Sequence, residues 1–237
     1  MSLVTSKEML QTAKQHHYSV GAFNAENMEM IQAIISAAEE MNAPVIIQTT
    51  PSTVRYASLN LYLSNVRALA EQAKVPVALH LDHGSSFELC AQALRAGYTS
   101  IMIDGSRLPL EQNIALTRQV VEMCAPAGIP VEGEIGCVGG KEDDTEGSTG
   151  YTIPAEAVKF EAETGLSSIA VGVGTAHGVY KTAPVLNVPL VRELAGLVKA
   201  PLVLHGASGL TDEAVRECIQ ASICKVNFAT ELRIVTL

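Results

Sequence analysis

No apolar run in this chain approaches the roughly 20 residues that cross a bilayer, and the stretch from Met1 to Gln15 is polar and amphipathic with no long apolar centre. The expectation is a soluble, cytoplasmic protein without membrane contact. Cysteine is scarce. Cys90, Cys124, Cys137, Cys218 and Cys224 are odd in number, scattered and without a CxxC pair, so buried thiols are expected rather than a disulfide framework or a thiolate zinc site. Positive charge is in deficit: a formal net charge of -9 argues against nucleic acid or an anionic membrane surface as a partner. An anionic substrate therefore has to be held by local donors rather than by the overall field. Charge of either sign is thin, at 17% of residues against 48% hydrophobic, a balance that suits strands buried on both faces better than a solvated β-sandwich.

What the chain does have is an alternation of short apolar runs with longer stretches of helical period. After an amphipathic segment from Lys7 to His16, candidate strands run over Val20 to Phe23, Val45 to Gln48, Val77 to Leu81, Ser100 to Ile103, Val131 to Ile135, Ser168 to Val173, Leu202 to Leu204 and Ile223 to Val226. Between them, Met28, Ile31, Ile34, Ile35 and Ala38 share one helical face, as do Phe87, Cys90, Ala91 and Leu94, and Ala214, Val215, Cys218 and Ile219. Ser85 with Glu88 reads as a capping box, Thr211 as a helix cap, and Gly97, Gly128 and Gly165 as helix ends. Eight βα units with no shift of composition predict one (β/α)8 TIM barrel, a single domain over residues 1–237. A doubly wound open sheet is the alternative; it usually has fewer strands and a GxGxxG turn after the first, which this chain lacks.

A barrel gathers its chemistry at the C-terminal ends of its strands. Those ends read Asn24, Gln48, Asp82-His83, Asp104, Glu134, His177, His205 and Asn227. In the run Leu79-His80-Leu81-Asp82-His83-Gly84 a buried strand finishes on a carboxylate and an imidazole, which needs a use for both; the plain alternative is a His–Asp pair on a solvated loop. Two later steps, His177-Gly178 and His205-Gly206, also follow apolar runs. Histidines at three strand ends make a candidate site for a catalytic zinc ion with an open coordination position. His80 is expected in the core or supporting the ligands, and His16 and His17 at a solvated helix end. Asp82 is better placed as a proton donor or acceptor than as a ligand. Asp104 and Glu134 supply a second cation site, or orient the histidines, or sit solvated at the rim. The stretch Gly136 to Gly150 is rich in glycine and acid and too long for a simple turn, so it reads as a flexible lid; Glu142 has a role only if that lid closes, and is otherwise solvated charge. Gly206-Ala207-Ser208-Gly209 and Asn227-Phe228-Ala229-Thr230 follow strands seven and eight, where barrels form phosphate sites from backbone N–H groups and a helix start, unless these glycines only shape turns.

The motifs "HLDHGSSFE", "IMIDGS", "EIGCVGGKEDD", "GTAHGVY", "LHGASG" and "KVNFATELRI" resemble, in order and over essentially the whole chain, the class II metal-dependent ketose-bisphosphate aldolases. The resemblance implies that His83, His177 and His205 bind a catalytic zinc ion. It implies that Asp82 protonates the aldehyde oxygen in the condensation direction and that Glu142 shuttles the proton at the dihydroxyacetone phosphate carbon. Asp104 and Glu134 match positions of alternative metal placement. Gly178, Gly206, Ala207 and Ser208, with Asn227, Phe228, Ala229 and Thr230, match phosphate and triose contacts, and a monovalent cation is implied nearby. "HLDHGSSFE" looks like fructose-bisphosphate aldolases, whereas "GTAHGVY" and "KVNFATELRI" look like tagatose-bisphosphate aldolases. Because the latter residues line the site, cleavage of tagatose 1,6-bisphosphate to dihydroxyacetone phosphate and glyceraldehyde 3-phosphate is the favoured expectation, with fructose 1,6-bisphosphate or a related ketose phosphate as the alternative. The family continues about another helix and a C-terminal arm beyond the last strand, so with the sequence ending at Leu237 the last helix is expected to be truncated. A homo-oligomer, dimer or tetramer, is implied, as is a non-catalytic partner subunit of the kind tagatose aldolases work with.

Other classes remain in view. A Schiff-base aldolase on the same fold would need an inward lysine, for which Lys225 is the runner-up position. A metal-dependent hydrolase commonly carries HxH at the end of strand one, where this chain has Phe23-Asn24-Ala25. A non-catalytic aldolase-like subunit would have little reason to keep Asp82 together with the histidines.

Overall fold

In a computed structural model the structure describes residues 3–142, 145–147, 150–180 and 184–236, without the side chains of 141, 142 and 145–147. Its strands are β1 (Val20–Asn24), β2 (Val45–Thr49), β3 (Val77–Gly84), β4 (Ser100–Ile103), β5 (Val131–Ile135), β6 (Gly139–Glu142), β7 (Thr145–Gly147), β8 (Ser168–Val171), β9 (Ala176–His177), β10 (Leu202–Leu204) and β11 (Ile223–Phe228). Eight of them close a parallel barrel in the order β1-β11-β10-β8-β5-β4-β3-β2, and β7, β6 and β9 form a small separate sheet. The fold is a (β/α)8 TIM barrel. The helices are α1 (Ser6–His16), α2 (Met28–Glu40), α3 (Pro51–Ala57), α4 (Leu59–Ala70), α5 (Phe87–Ala96), α6 (Leu110–Cys124), α7 (Pro154–Thr164), α8 (Val188–Leu197), α9 (Asp212–Gln220) and α10 (Thr230–Thr236). Among the described residues none is long and apolar enough to cross a membrane.

The apolar runs become strands because both faces find cover. Outward side chains of β2 to β5 pack with α2, α4 and α5 in one cluster, and those of β8, β10 and β11 with α7 to α9 in another. A third cluster was not foreseen: Met9, Leu10 and Ala13 of α1 join Val20, Ala22, Ile46, Ala78 and Cys224, so the first amphipathic helix plugs the N-terminal end of the barrel. Thr211 caps α9 through Ala214 N at 3.2 Å, and Gly97, Gly128 and Gly165 end their helices at positive φ, as the sequence predicts. The cap of α5 is Ser86, accepting from Leu89 N at 3.2 Å, rather than Ser85; Ser86 is the residue in extended backbone just before the first helical one.

Three boundaries differ from the sequence reading by two or more residues, and each lies at the mouth. Strand β3 continues through His83 to Gly84, β8 stops at Val171, and β11 runs on to Phe228. The stretch 136–150, expected as a loop, contains the antiparallel pair β6 and β7. His177 therefore does not end a barrel strand; it lies in β9, which pairs in parallel with β6 through Gly140↔His177.

Candidate metal centre

Successive residues of a regular strand point to opposite faces, so Asp82 and His83 would not normally share one site. The β3–β4 register slips between Leu81 and Gly84, and His83 takes φ 48, a left-handed value uncommon for a residue with a side chain. That bulge lets both side chains reach the barrel mouth. Asp82 is held from two sides, accepting from Asn24 Nδ2 at 3.0 Å and Asn227 Nδ2 at 3.2 Å, while Gln48 steadies Asn24 at 2.9 Å. His83 Nδ1 lies 2.8 Å from Asp104 Oδ2, and the other Asp104 oxygen accepts from Ser106 N and Oγ. With Nδ1 engaged, Nε2 of His83 is the nitrogen left for a ligand.

His205 follows β10 directly and is fully buried. Its Nε2 lies 3.0 Å from Glu132 Oε1, and its Nδ1 is 3.2 Å from Glu134 Oε2. Neither of those last two atoms has a hydrogen-bond partner although both are buried. His177 is placed by backbone packing. A Cβ at Gly140 (φ +84) would lie 2.2 Å from His177 O, and one at Gly206 (φ +67) would lie 2.6 Å from Ala176 O. Only glycine on both sides lets the 176–177 segment pass between them.

The outcome is a cluster. Ligand atoms of His83, His177 and His205 all lie within 4.8 Å of one another, and so do those of His83, Asp104 and Glu134. The donor set fits a divalent cation: neutral imidazoles backed by carboxylates, plus an orphaned carboxylate oxygen and an orphaned ring nitrogen facing the same space. Charge agrees. Burial opposes it, yet Asp82, Asp104 and Glu134 raise the His83 imidazole well above its usual range, and Glu132 and Glu134 raise His205 to about 9. Burial and its two cationic neighbours push His177 well below. Burial would raise the Asp82 carboxyl, but His83, His205 and Lys225 outweigh it and hold it at about 2. The surroundings thus favour positive charge at His83 and His205, supplied by protons or by a metal that displaces them.

Two cavities meet at His83 and His177. The smaller, about 20 Å³, is also lined by Asn24, Asp82, Gly178, Gly206, Ser208, Asn227, Ala229 and Thr230. Ser208 Oγ ties its two loops together by accepting from Ala229 N at 3.1 Å. The side chains of Ala207 and Phe228 pack in the apolar core, Phe228 stacked on Phe23 with ring centroids 5.5 Å apart, so the contacts expected of these two residues fall to their backbone. The larger, about 380 Å³, lies on the β3 to β5 side and is lined by Asp104 and Glu134 together with Arg55, Ser85, Arg107, Leu108 and Cys137. The side chain of Glu142 lies outside the described residues, as do 143, 144, 148 and 149 of the expected lid.

A family model described as fructose-bisphosphate aldolase class-II matches residues 4–237. The chain belongs to that family. It is a class II aldolase, a carbon–carbon lyase. It is similar to the YdjI aldolase of Escherichia coli K12, with 37% identity and a TM-score of 0.87 over 98% of this chain and 83% of that one. It is also similar to a candidate fructose-1,6-bisphosphate aldolase of Coccidioides immitis, with 34% identity and a TM-score of 0.88 over 94% and 80% of the two chains. Fructose-bisphosphate aldolase of Campylobacter jejuni shares the fold, at 23% identity and a TM-score of 0.81 over 97% of this chain and 78% of that one.

Two residues of this aldolase that sequence reasoning passed over help hold the site. Tyr180, inside the quoted "GTAHGVY", donates to Gly206 O and accepts from Ala176 N, both at 2.8 Å, stapling the His177 segment to the loop after β10. Glu132 alternates with Glu134 along β5 and reads from sequence as one more strand residue; no local signal marks it. Lys225, the runner-up for imine chemistry, is 1% exposed and its Nζ sits 2.9 and 3.1 Å from the Glu132 oxygens. An amine so enclosed has no approach for a ketone carbon.

Proposed function

We propose that the protein is a zinc-dependent aldolase cleaving a ketose 1,6-bisphosphate, with tagatose 1,6-bisphosphate favoured, to dihydroxyacetone phosphate and glyceraldehyde 3-phosphate. The observation that carries this reading is the convergence of three imidazoles on one space beside an anchored carboxylate. His83, His177 and His205 would hold the zinc ion, with Asp104 and Glu134 as a second placement beside His83. Bound there, zinc supplies Lewis-acid polarisation of the ketose carbonyl, which stabilises the negative charge left when the carbon–carbon bond breaks.

The chain's own residues do the rest. Asp82, anchored by Asn24 and Asn227 and kept a carboxylate by His83, His205 and Lys225, takes the proton from the C4 hydroxyl in cleavage and returns it to the aldehyde oxygen in condensation. Glu142 moves the proton at the triose carbon. Gly178, Gly206, Ser208 and the loop from Asn227 to Thr230 receive the triose phosphate through small side chains and backbone, and a monovalent cation belongs to the same reading. Fructose 1,6-bisphosphate is the second reading, favoured by the likeness to the Coccidioides immitis structure. An assay of zinc-loaded protein against both bisphosphates, which differ only in configuration at C4, tests the proposal. Faster cleavage of the tagatose epimer, lost on chelation, is expected. Stoichiometric zinc with no cleavage of either would point to a related ketose phosphate, whereas neither zinc binding nor cleavage would hand the chain to the non-catalytic subunit reading.

A further inference from the structure

We propose that the buried pair Lys225 and Glu132 is a positioning unit that fixes the ring tautomer of His205, so that Nδ1 rather than Nε2 is offered to the metal. This builds on the zinc reading above, and assigns a task to residues on the inner wall of the barrel. Glu132 and Lys225 come from β5 and β11, which are separated in the barrel by β8 and β10, yet their side chains meet inside it, 2% and 1% exposed. A pair so enclosed loses more in desolvation than hydrophobic residues of the same size would, so its presence asks for a reason other than stability.

Geometry supplies one. Lys225 Nζ grips both carboxylate oxygens, at 2.9 and 3.1 Å, and Ser168 Oγ donates to Oε2 at 3.4 Å. The carboxylate cannot swing away, and Oε1 is left 3.0 Å from His205 Nε2. An ionised carboxylate only accepts hydrogen bonds, so in the neutral ring Nε2 carries the proton and Nδ1 carries the lone pair. Nδ1 lies 3.2 Å from Glu134 Oε2 with no hydrogen bond between them. His83 is oriented the opposite way round, with Nδ1 on Asp104. The two ligands thus depend on separate carboxylates, one at the rim and one in the barrel interior. Below Lys225 the polar column continues through His80 Nε2 at 3.4 Å, Ser100 Oγ and Ser6 Oγ, which anchors the lysine from the α1 side.

Two charge-neutral double variants separate positioning from packing. In Glu132→Gln/Lys225→Met the amide oxygen still accepts from Nε2 while its N–H2 turns to Ser168; in Glu132→Leu/Lys225→Met no acceptor remains. Nitrogen NMR of the His205 ring in metal-free protein at alkaline pH reads the tautomer, and competition with a chromophoric chelator reads zinc affinity. The glutamine variant is expected to keep the Nε2–H form and parent-like zinc binding. The leucine variant is expected to show mixed tautomers and roughly 10- to 100-fold weaker zinc binding, the range for loss of a ligand's supporting partner. Equal zinc affinity and the same tautomer in both variants would overturn the proposal. So would a dominant Nδ1–H form in the parent protein, which needs no variant to fold. A parent in the Nε2–H form that binds no zinc would instead sink the metal reading and leave the positioning role standing.

Discussion

On the side of β1, β10 and β11 the histidine cluster opens into a slot of about 20 Å³ whose polar groups are largely engaged with one another; on the side of β3 to β5 it opens into a cavity of about 380 Å³ edged by Arg55 and Arg107. In the slot, Asp82 is clamped by two amides, Ser208 bridges two loops, and Gly206 lies against Ala176. The slot is therefore much the narrower of the two spaces beside the histidines. The difference suggests a division of labour within the proposed reaction. A small preorganised half suits the fragment common to every ketose substrate, and the roomy half suits the aldehyde fragment that varies among them.

Variants that empty the junction should break both halves at once. His83→Ala, His177→Ala or His205→Ala is expected to abolish zinc binding and with it both cleavage and solvent exchange of the dihydroxyacetone phosphate proton; full zinc occupancy in any two of them would remove the metal centre from the argument. Asp82→Ala is the next largest: zinc stays, while turnover falls by roughly two to four orders of magnitude, the range for acid–base groups. Near-normal turnover would excuse Asp82 from chemistry.

Gly140→Ala tests the scaffold rather than the chemistry. Its Cβ would press on the His177 carbonyl at 2.2 Å, at a residue whose φ is +84. A strain of about 1–3 kcal/mol should reappear as a zinc affinity lower by about one order of magnitude, with the barrel's melting temperature little changed. Unaltered affinity would mean that the 176–177 segment is free to shift. Arg107→Ala, on the roomy side, should have the smallest effect. A KM for the bisphosphate raised by up to about fivefold, in line with an exposed charge contact, is expected while proton exchange of dihydroxyacetone phosphate alone is untouched. Loss of exchange in that variant would erase the contrast between the halves.

Legibility in the sequence followed the range of the interactions. Apart from Met28, which is exposed, the helix faces, the glycine ends at 97, 128 and 165 and the Thr211 cap are contacts within a few residues, and they were readable. The mouth boundaries were not, because a bulge at Leu81 to Gly84 and a strand at Ala176–His177 exist only through partners on β4 and β6. Ala207 and Phe228 sit inside motifs whose neighbours line the slot. Which side chains of such a run turn outward depends on the packing of Phe23 and of the α8 and α9 cluster.

By itself the sequence determined the barrel, through eight buried apolar runs set between amphipathic helices, and nominated the histidines, through their recurrence after those runs. Period and composition act locally, so they survive without a structure. Tertiary structure decided which nitrogen of His83 and of His205 is engaged by a carboxylate, that Lys225 is spent on Glu132, and that the histidines face two unequal cavities. Those properties depend on side chains that approach within 3 Å or so from strands far apart in the chain, and only closure of the barrel brings them there.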